Sequence, residues 1–516
     1  MAMTATIVPT TLGKLQGTLD KGVATFRGVP YAAPPLGALR WAPPAPHPGW
    51  ADLRDATRDG PAPPQLPSRL ERVMGRVDFA QGEDCLSLTI AAPWPAEGAK
   101  RPVMVYFHGG AWMSGAGSLP LYSGAELARA GGVVAIGVNY RLGALGYLHV
   151  PELAGAGSAR ERGANFGLLD HVAALEWIRD NAASFGGDPG NVTLFGQSAG
   201  GGSIATLMEM PSPVKLFRRA ILQSAAVMPH VTQEAARNVT DEVLKALGLD
   251  RSRIAALRDA PVAKLLDAQR AAMMAVARPT DPTPVYRMVR DGTVLDCDPP
   301  AGVAAGRAAG IDIMIGTTRD EVHAFFIGND AVAGIDRAAM AKAIGPAGGE
   351  RAEAAARSAA VVEAYAKRLS GAAPAALFAS LQTDAMFRLP SLRFAEAQGE
   401  HARTYLYRFD WQPTAEAPYR AAHCIELPFV FGNFADWDRA PVPPTMLAGG
   451  NRRVMARLSK EMQRAWAAFA RNGNPNHADL PNWEPWSPAS RRSMIFDAEC
   501  RVASNLDDEI EAIWKR

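Results

Sequence analysis

The residues Gly196-Gln197-Ser198-Ala199-Gly200 fit the pattern G-x-S-x-G and follow the short apolar run Val192 to Phe195. A serine held at such a strand-to-helix corner projects its hydroxyl above the sheet, next to a helix N-terminus that favours negative charge. The chemistry this suggests is nucleophilic attack on a carboxylic carbonyl. A second glycine-rich segment, His108-Gly109-Gly110-Ala111-Trp112, comes directly after the apolar run Pro102 to Phe107. Attack on an ester produces a tetrahedral species with a full negative charge on oxygen. Backbone N–H groups aimed at that oxygen stabilise it, and losing one typically costs ~10²–10³ in rate. The expected donors are Gly109, Gly110 and Ala199, because glycine admits the approach that a side chain would block. His108 reads as a buttress of its loop, since the base of such a site comes later in the chain than the nucleophile. No phosphate-loop lysine and no G-x-G-x-x-G accompanies these glycines, which argues against a nucleotide site.

The serine needs a base and the base a carboxylate, in the chain order nucleophile, acid, histidine. Of the histidines after Ser198, His401 and His477 lie in polar, turn-rich settings, whereas His423 precedes the apolar run Leu427 to Phe431. His423 is therefore the expected general base, able to take the Ser198 proton and return it to the leaving group. For the acid, the apolar run Ile311 to Ile315 leads into Gly316-Thr317-Thr318-Arg319-Asp320-Glu321. Position alone qualifies both Asp320 and Glu321.

The elements that must hold these residues alternate. Val103 to Phe107, Val133 to Val138 and Val192 to Phe195 read as buried strands, as do Ile311 to Ile315 and Thr404 to Phe409. Leu168, Val172, Leu175, Ile178 and Ala182 step by three or four, the stripe of a helix. Residues 14–30 read as short strands, 30–67 as irregular because of their prolines, and Leu458 to Ala470 as a C-terminal helix. The pattern predicts a mostly parallel, three-layer α/β fold. Ala-rich helical stretches at 232–277 and 338–379 read as insertions that form a cap or gate on a single catalytic domain spanning 1–516.

Composition removes several alternatives. The 516 residues are 48% hydrophobic and 21% charged, enough to bury a large core. Fifty-four basic against 52 acidic residues leave a net charge of +2, which gives no reason to expect nucleic acid or an anionic membrane as partner. No apolar run reaches the ~18 residues of a membrane span, and the start shows no leader pattern. Four cysteines without C-x-x-C spacing suggest neither a disulfide framework nor a zinc site. The expectation is a cytoplasmic protein, a monomer or weak homo-oligomer, with no cofactor and no metal.

Taken together these residues resemble the type B carboxylesterase family, which includes bacterial para-nitrobenzyl esterases, mammalian carboxylesterases and cholinesterases. The resemblance covers nearly the whole chain. Phe26-Arg27-Gly28-Val29-Pro30-Tyr31-Ala32 and Pro34-Pro35-Leu36-Gly37 are similar to its N-terminal signature, and Glu83-Asp84-Cys85-Leu86 to its second. Asn139-Tyr140-Arg141-Leu142-Gly143 and Phe185-Gly186-Gly187-Asp188-Pro189 are similar to internal blocks. The resemblance implies an α/β-hydrolase fold and a bacterial serine esterase that works through an acyl-enzyme. It implies Glu321 as the acid and His423 as the base, completing a triad with Ser198, and suggests that Ser224 supports the acid. It also implies the ion pairs Arg40–Glu83 and Arg141–Asp170 as structural ties.

Four departures from the family pattern stand out. Gln197 replaces the glutamate common before the serine and removes a negative charge beside it. Val322 replaces a glycine after the acid. His171 replaces a common glutamine. Cys85, disulfide-bonded in secreted relatives, has no cysteine N-terminal to it and is expected to be a free, buried thiol.

Residues 51–84 contain no tryptophan, so the quaternary ammonium of a choline ester lacks the aromatic face that would hold it. Trp112, Phe325, Phe326, Phe429 and Phe431 are candidates for an apolar pocket. The expected substrates are uncharged carboxylic esters of short to medium chain, or aromatic ones. Lipase, amidase or carbamate hydrolase activity shares the same scaffold chemistry, and a non-catalytic binding module is the alternative from another class.

Overall fold

The computed structural model describes residues 4–515 apart from 154–162, 279, 327–328, 345–351, 415–416, 418 and 441–444. An antiparallel meander opens the chain: β1 (Thr4–Thr10), β2 (Gly13–Asp20) and β3 (Val23–Pro30), with β4 (Arg54–Asp55) alongside β2. β5 (Ser87–Pro93) joins that meander to β7 (Val134–Val138), antiparallel on both sides. From β7 the sheet runs parallel through β6 (Arg101–Phe107), β8 (Gly187–Gln197), β9 (Arg219–Gln223), β12 (Asp312–Thr318), β13 (Thr404–Phe409) and β14 (Arg492–Phe496). β15 (Arg501–Ser504) closes the far edge antiparallel, and β10 (Val231–Thr232) with β11 (Val289–Arg290) makes a separate two-stranded sheet.

The parallel strands are apolar on both faces because helices cover both. On one side the helix Phe166–Asn181 packs into a cluster with Val105, Leu194 and Ile313; on the other, the helix Arg452–Asn472 packs with Met104, Phe195 and Met314. Successive residues of one strand thus feed opposite layers, as the period of two requires. The strands expected at Val103, Val133, Val192, Ile311 and Thr404 are all present; the last starts at the expected residue and the others within five residues of it. Helices occupy Gln233–Ala246 and Val262–Val276, and again Arg337–Ile344, Ala352–Arg368 and Pro374–Thr383. The second group closes around its own apolar cluster of Val361, Tyr365 and Phe378.

Parallel strands all point their C-terminal ends to one rim. β6 ends at Phe107, β8 at Gln197 and β12 at Thr318, so the segments that follow them meet above the same edge of the sheet. The register places Phe107 opposite Gly196 and Gly196 opposite Leu222. A ligand site outside the carboxyl ends of such strands is the general consequence of this topology.

Candidate active site

Ser198 follows β8 directly and adopts φ 57°, ψ −120°, a conformation that costs a non-glycine residue energy and turns its side chain sharply off the strand. The surrounding backbone fixes it: Ser198 N donates to Gln223 O at 2.9 Å, and Ser198 O accepts from Gly202 N at 2.9 Å. The helix Ala199–Glu209 begins at the next residue. A Cβ on Gly200 would lie 1.9 Å from Phe107 O, so the turn closes only with glycine there. The G-x-S-x-G spacing is thus a packing requirement of this corner.

The loop after β6 carries three unusual residues in a row, Gly110, Ala111 and Trp112, all at positive φ. Among the described residues no acceptor takes the N–H of Gly109, Gly110 or Ala199, and all three residues line one cavity with Ser198. His108 Nδ1 donates to Gly109 O at 2.7 Å, and its ring stacks on Tyr140 at 4.4 Å. Burial pushes the His108 imidazole down to about 4, so it stays neutral. Trp112 lines the cavity and anchors itself through Nε1 to Ser203 Oγ at 3.0 Å.

His423 Nδ1 lies 2.6 Å from Glu321 Oε2, with both side chains buried. The other carboxylate oxygen of Glu321 accepts from Thr318 N at 2.7 Å, and the backbone joins again where His423 N donates to Glu321 O at 3.2 Å. Asp320 turns away, held by Arg319 Nε at 2.8 Å, which separates the two carboxylates that position alone left equal. Behind Glu321, buried Arg388 pairs with Asp384 and donates from Nη2 to Arg319 O at 2.9 Å. The His423 ring lies 5.3 Å from Phe325 and 4.9 Å from Phe387, which screen it from water. Ser198 and His423 line the same cavity, and Nε2 of His423 receives Gln197 Nε2 at 3.0 Å.

Three expected pocket residues lie elsewhere. Phe326 stacks on Phe378 at 5.0 Å in the separate helical cluster. Phe429 packs against Phe409 and Trp411 in the core, because its short helix is pinned where Ser459 Oγ donates to Phe429 O at 2.8 Å. Phe431 sits behind Tyr122, which itself lines the cavity. The Ser224 hydroxyl makes no hydrogen bond to Glu321; the Thr318 amide fills that place, while Ser224 N donates to Gly316 O at 2.8 Å. Val322, in place of glycine, is fully buried and donates its N–H to Thr383 Oγ1 at 3.1 Å. Cys85 is a free, buried thiol. The expected ion pairs are present: Arg40 grips Glu83 at 2.6 and 2.7 Å, and Arg141 grips Asp170 at 2.7 Å.

The cavity holds about 370 Å³, and much of its wall comes from segments without a chemical motif. Residues 65–81 form one side, Met228, Met273, Pro282 and Pro284 another, and Met386 with Phe387 a third. Phe387 and Met386 belong to a five-residue π turn, Asp384–Arg388, inside an otherwise α-helical stretch. Among the described residues no cluster of His, Cys, Asp and Glu could hold a metal ion, and no helix is long and apolar enough to cross a membrane.

A parallel sheet that carries a serine elbow after one strand and a glycine-rich loop after its neighbour defines an α/β hydrolase. The chain belongs to the carboxylesterase family, which it matches over residues 4–514, and it is a serine carboxylesterase, a carboxylic ester hydrolase. It is 36% identical over 510 residues to the para-nitrobenzyl esterase of Bacillus subtilis, covering 98% of both chains. It is 37% identical over 511 residues to the phenmedipham hydrolase of Pseudarthrobacter oxydans, again 98% of both. A solved thermophilic para-nitrobenzyl esterase superposes with TM-score 0.87 at 35% identity, over 99% of this chain and 100% of that one. A Geobacillus stearothermophilus carboxylesterase superposes at 0.85 and 34% identity, with the same coverage.

Proposed function

We propose that Ser198, His423 and Glu321 form the catalytic triad and that Gly109, Gly110 and Ala199 supply the oxyanion hole. The observation that carries this reading is the 2.6 Å bond from His423 Nδ1 to Glu321 at the wall of the cavity that also holds Ser198. Glu321 fixes the tautomer that leaves a lone pair on Nε2, and the imidazolium that forms is stabilised by the same carboxylate. Ser198 Oγ attacks the ester carbonyl carbon as its proton passes to His423 Nε2. The free N–H groups receive the oxyanion. Collapse of the tetrahedral species breaks the bond to the alcohol oxygen, which leaves with the proton from His423. Water, activated by the same base, then hydrolyses the acyl-enzyme.

We infer substrates that are uncharged esters with short to medium acyl chains or aromatic groups. Trp112, Phe325, Phe387, Met228, Met273 and Met386 offer apolar, polarisable walls that fit such groups. The four free cysteines and the bacterial relatives support a reducing, cytoplasmic setting in a bacterium, with a monomer or weak homo-oligomer as the working form and no nucleic-acid partner. The decisive experiment is Ser198→Ala assayed on a para-nitrophenyl ester: hydrolysis at the original rate overturns the reading. A panel of esters, anilides, carbamates and triglyceride emulsions orders the substrate classes, and faster turnover of anilides, carbamates or emulsions than of matched soluble esters reassigns the activity to that class.

A further inference from the structure

Gln197 stands between the two halves of the site. Its side chain is buried, and a Cβ on Gly109 would come within 2.5 Å of its Oε1, so the carbonyl end lies against the oxyanion loop. Its Nε2 end reaches His423 Nε2 at 3.0 Å. Chemistry dictates that orientation. His423 Nδ1–H donates to Glu321, so Nε2 presents a lone pair, and only the NH₂ end of an amide can satisfy it. Among the described residues Ser198 Oγ makes no hydrogen bond. The lone pair that must take the serine proton is therefore occupied by the preceding residue of the same turn.

We propose that Gln197 is a positioning residue that sets the acid end of the working pH range by capping the base in its neutral form. This rests on His423 being the general base. A donor bonded to the neutral imidazole disfavours its protonation, whereas a carboxylate in the same place would favour it. Protonated His423 would set an N–H against the amide NH₂, so protonation requires the amide to turn or leave. The other groups facing this imidazole are Glu321 from the turn after β12, with Arg388 behind it, and Cys424 and Glu426 from its own turn. Tyr106 of β6 and Tyr122 stand behind Cys424 and Glu426, and Tyr407 of β13 stands behind Glu426 and Glu321. Of these groups Cys424 also touches the Gln197 side chain, and burial holds its thiol well above the usual range, so it stays neutral across the acid limb and a shift of the profile reports position 197.

The experiment is the pH dependence of kcat/KM on a para-nitrophenyl ester, with the pH dependence of inactivation by an organophosphonate as a second reading of the same base. In Gln197→Glu the acid limb moves to higher pH by about 1 to 2 pH units, so that well below the midpoint the variant keeps ~10-fold or more less of its own plateau rate than the native enzyme does. Gln197→Met, which keeps the bulk and removes the donor, moves the limb in the same direction by less. Superimposed acid limbs in native and Glu enzymes overturn the proposal, as does a Met limb displaced to lower pH. Full hydrolysis by Ser198→Ala overturns the triad and this inference together; its loss, combined with superimposed limbs, overturns this inference alone.

Discussion

Arg141 binds Asp170 through three separate N–H groups: its main-chain N at 3.0 Å and Nε at 2.9 Å on one oxygen, and Nη2 at 2.7 Å on the other. Nη1 adds a bond to Ala42 O at 2.8 Å. One guanidinium thereby ties the chain after β7, the helix Phe166–Asn181 and the proline-rich segment together. Arg141→Met leaves the buried Asp170 carboxylate with the main-chain N–H at 141 but no countercharge, and the expected loss is ~3–5 kcal/mol. Chemical denaturation of the two proteins at neutral pH measures it.

Glu321→Gln keeps the size of the acid and removes its charge. The amide no longer selects the tautomer that exposes a lone pair at Nε2, nor does it stabilise the imidazolium. The expected fall in kcat is on the order of 10⁴, as for loss of the carboxylate in other serine triads. Steady-state kinetics on a para-nitrophenyl ester, with folding verified by circular dichroism, checks it.

Gly109→Ala places a Cβ 2.5 Å from Gln197 Oε1 and 3.1 Å from Ser198 Cβ. Something must move, and both neighbours belong to the site. A displaced N–H donor predicts a fall in kcat of ~10²–10³. Labelling by a fluorophosphonate slows in parallel, because it passes through the same charged geometry.

Glu426 is buried, accepts from Gln223 Nε2 at 3.2 Å, and is pushed up to about 7 by burial and by the charge of Glu321. A carboxyl raised from 4.5 binds a proton in the folded state that the unfolded chain has released. Its contribution to stability is present below pH 4.5 and is lost as pH rises through about 7. Glu426→Gln abolishes that loss. The stability advantage of the variant over the native protein is therefore expected to grow between pH 4.5 and 7, reaching ~3 kcal/mol, and then level off. Denaturation midpoints across pH 4 to 9 follow it.

The chemistry of the site was more legible in the sequence than its walls. Ser198, Gly109 and Gly110 sit in motifs whose spacing is forced by backbone clashes, and those clashes are visible as glycines. Asp320 and Glu321 were indistinguishable by position, since which neighbour faces inward depends on the Thr318 amide and on Arg388, 67 residues downstream. Phe429 and Phe431 looked like pocket residues because they follow His423 closely, yet a helical turn carries them into the layer beneath. Phe387 and Met386 left no local signal: one π turn in a helical stretch aims them, and no periodicity announces it. That the Thr318 amide, and not the Ser224 hydroxyl, bonds Glu321 was hidden for a similar reason, because a main-chain amide leaves no trace in residue identity.

The cavity joins a rim of strand ends to walls drawn from residues 65–81, from Gln269, Met273, Pro282 and Pro284, and from Met386 and Phe387. Those walls share no backbone with the turns at Ser198 and Glu321, so exchanging the methionine at 273 reshapes the recess without disturbing the proton relay, whereas the turn that carries Met386 also packs Phe387 on His423. Diversification can therefore proceed on one set of segments while the reaction itself is inherited intact. A laboratory selection for new acyl groups should accumulate its substitutions in the first two of those walls and spare the corners of the sheet.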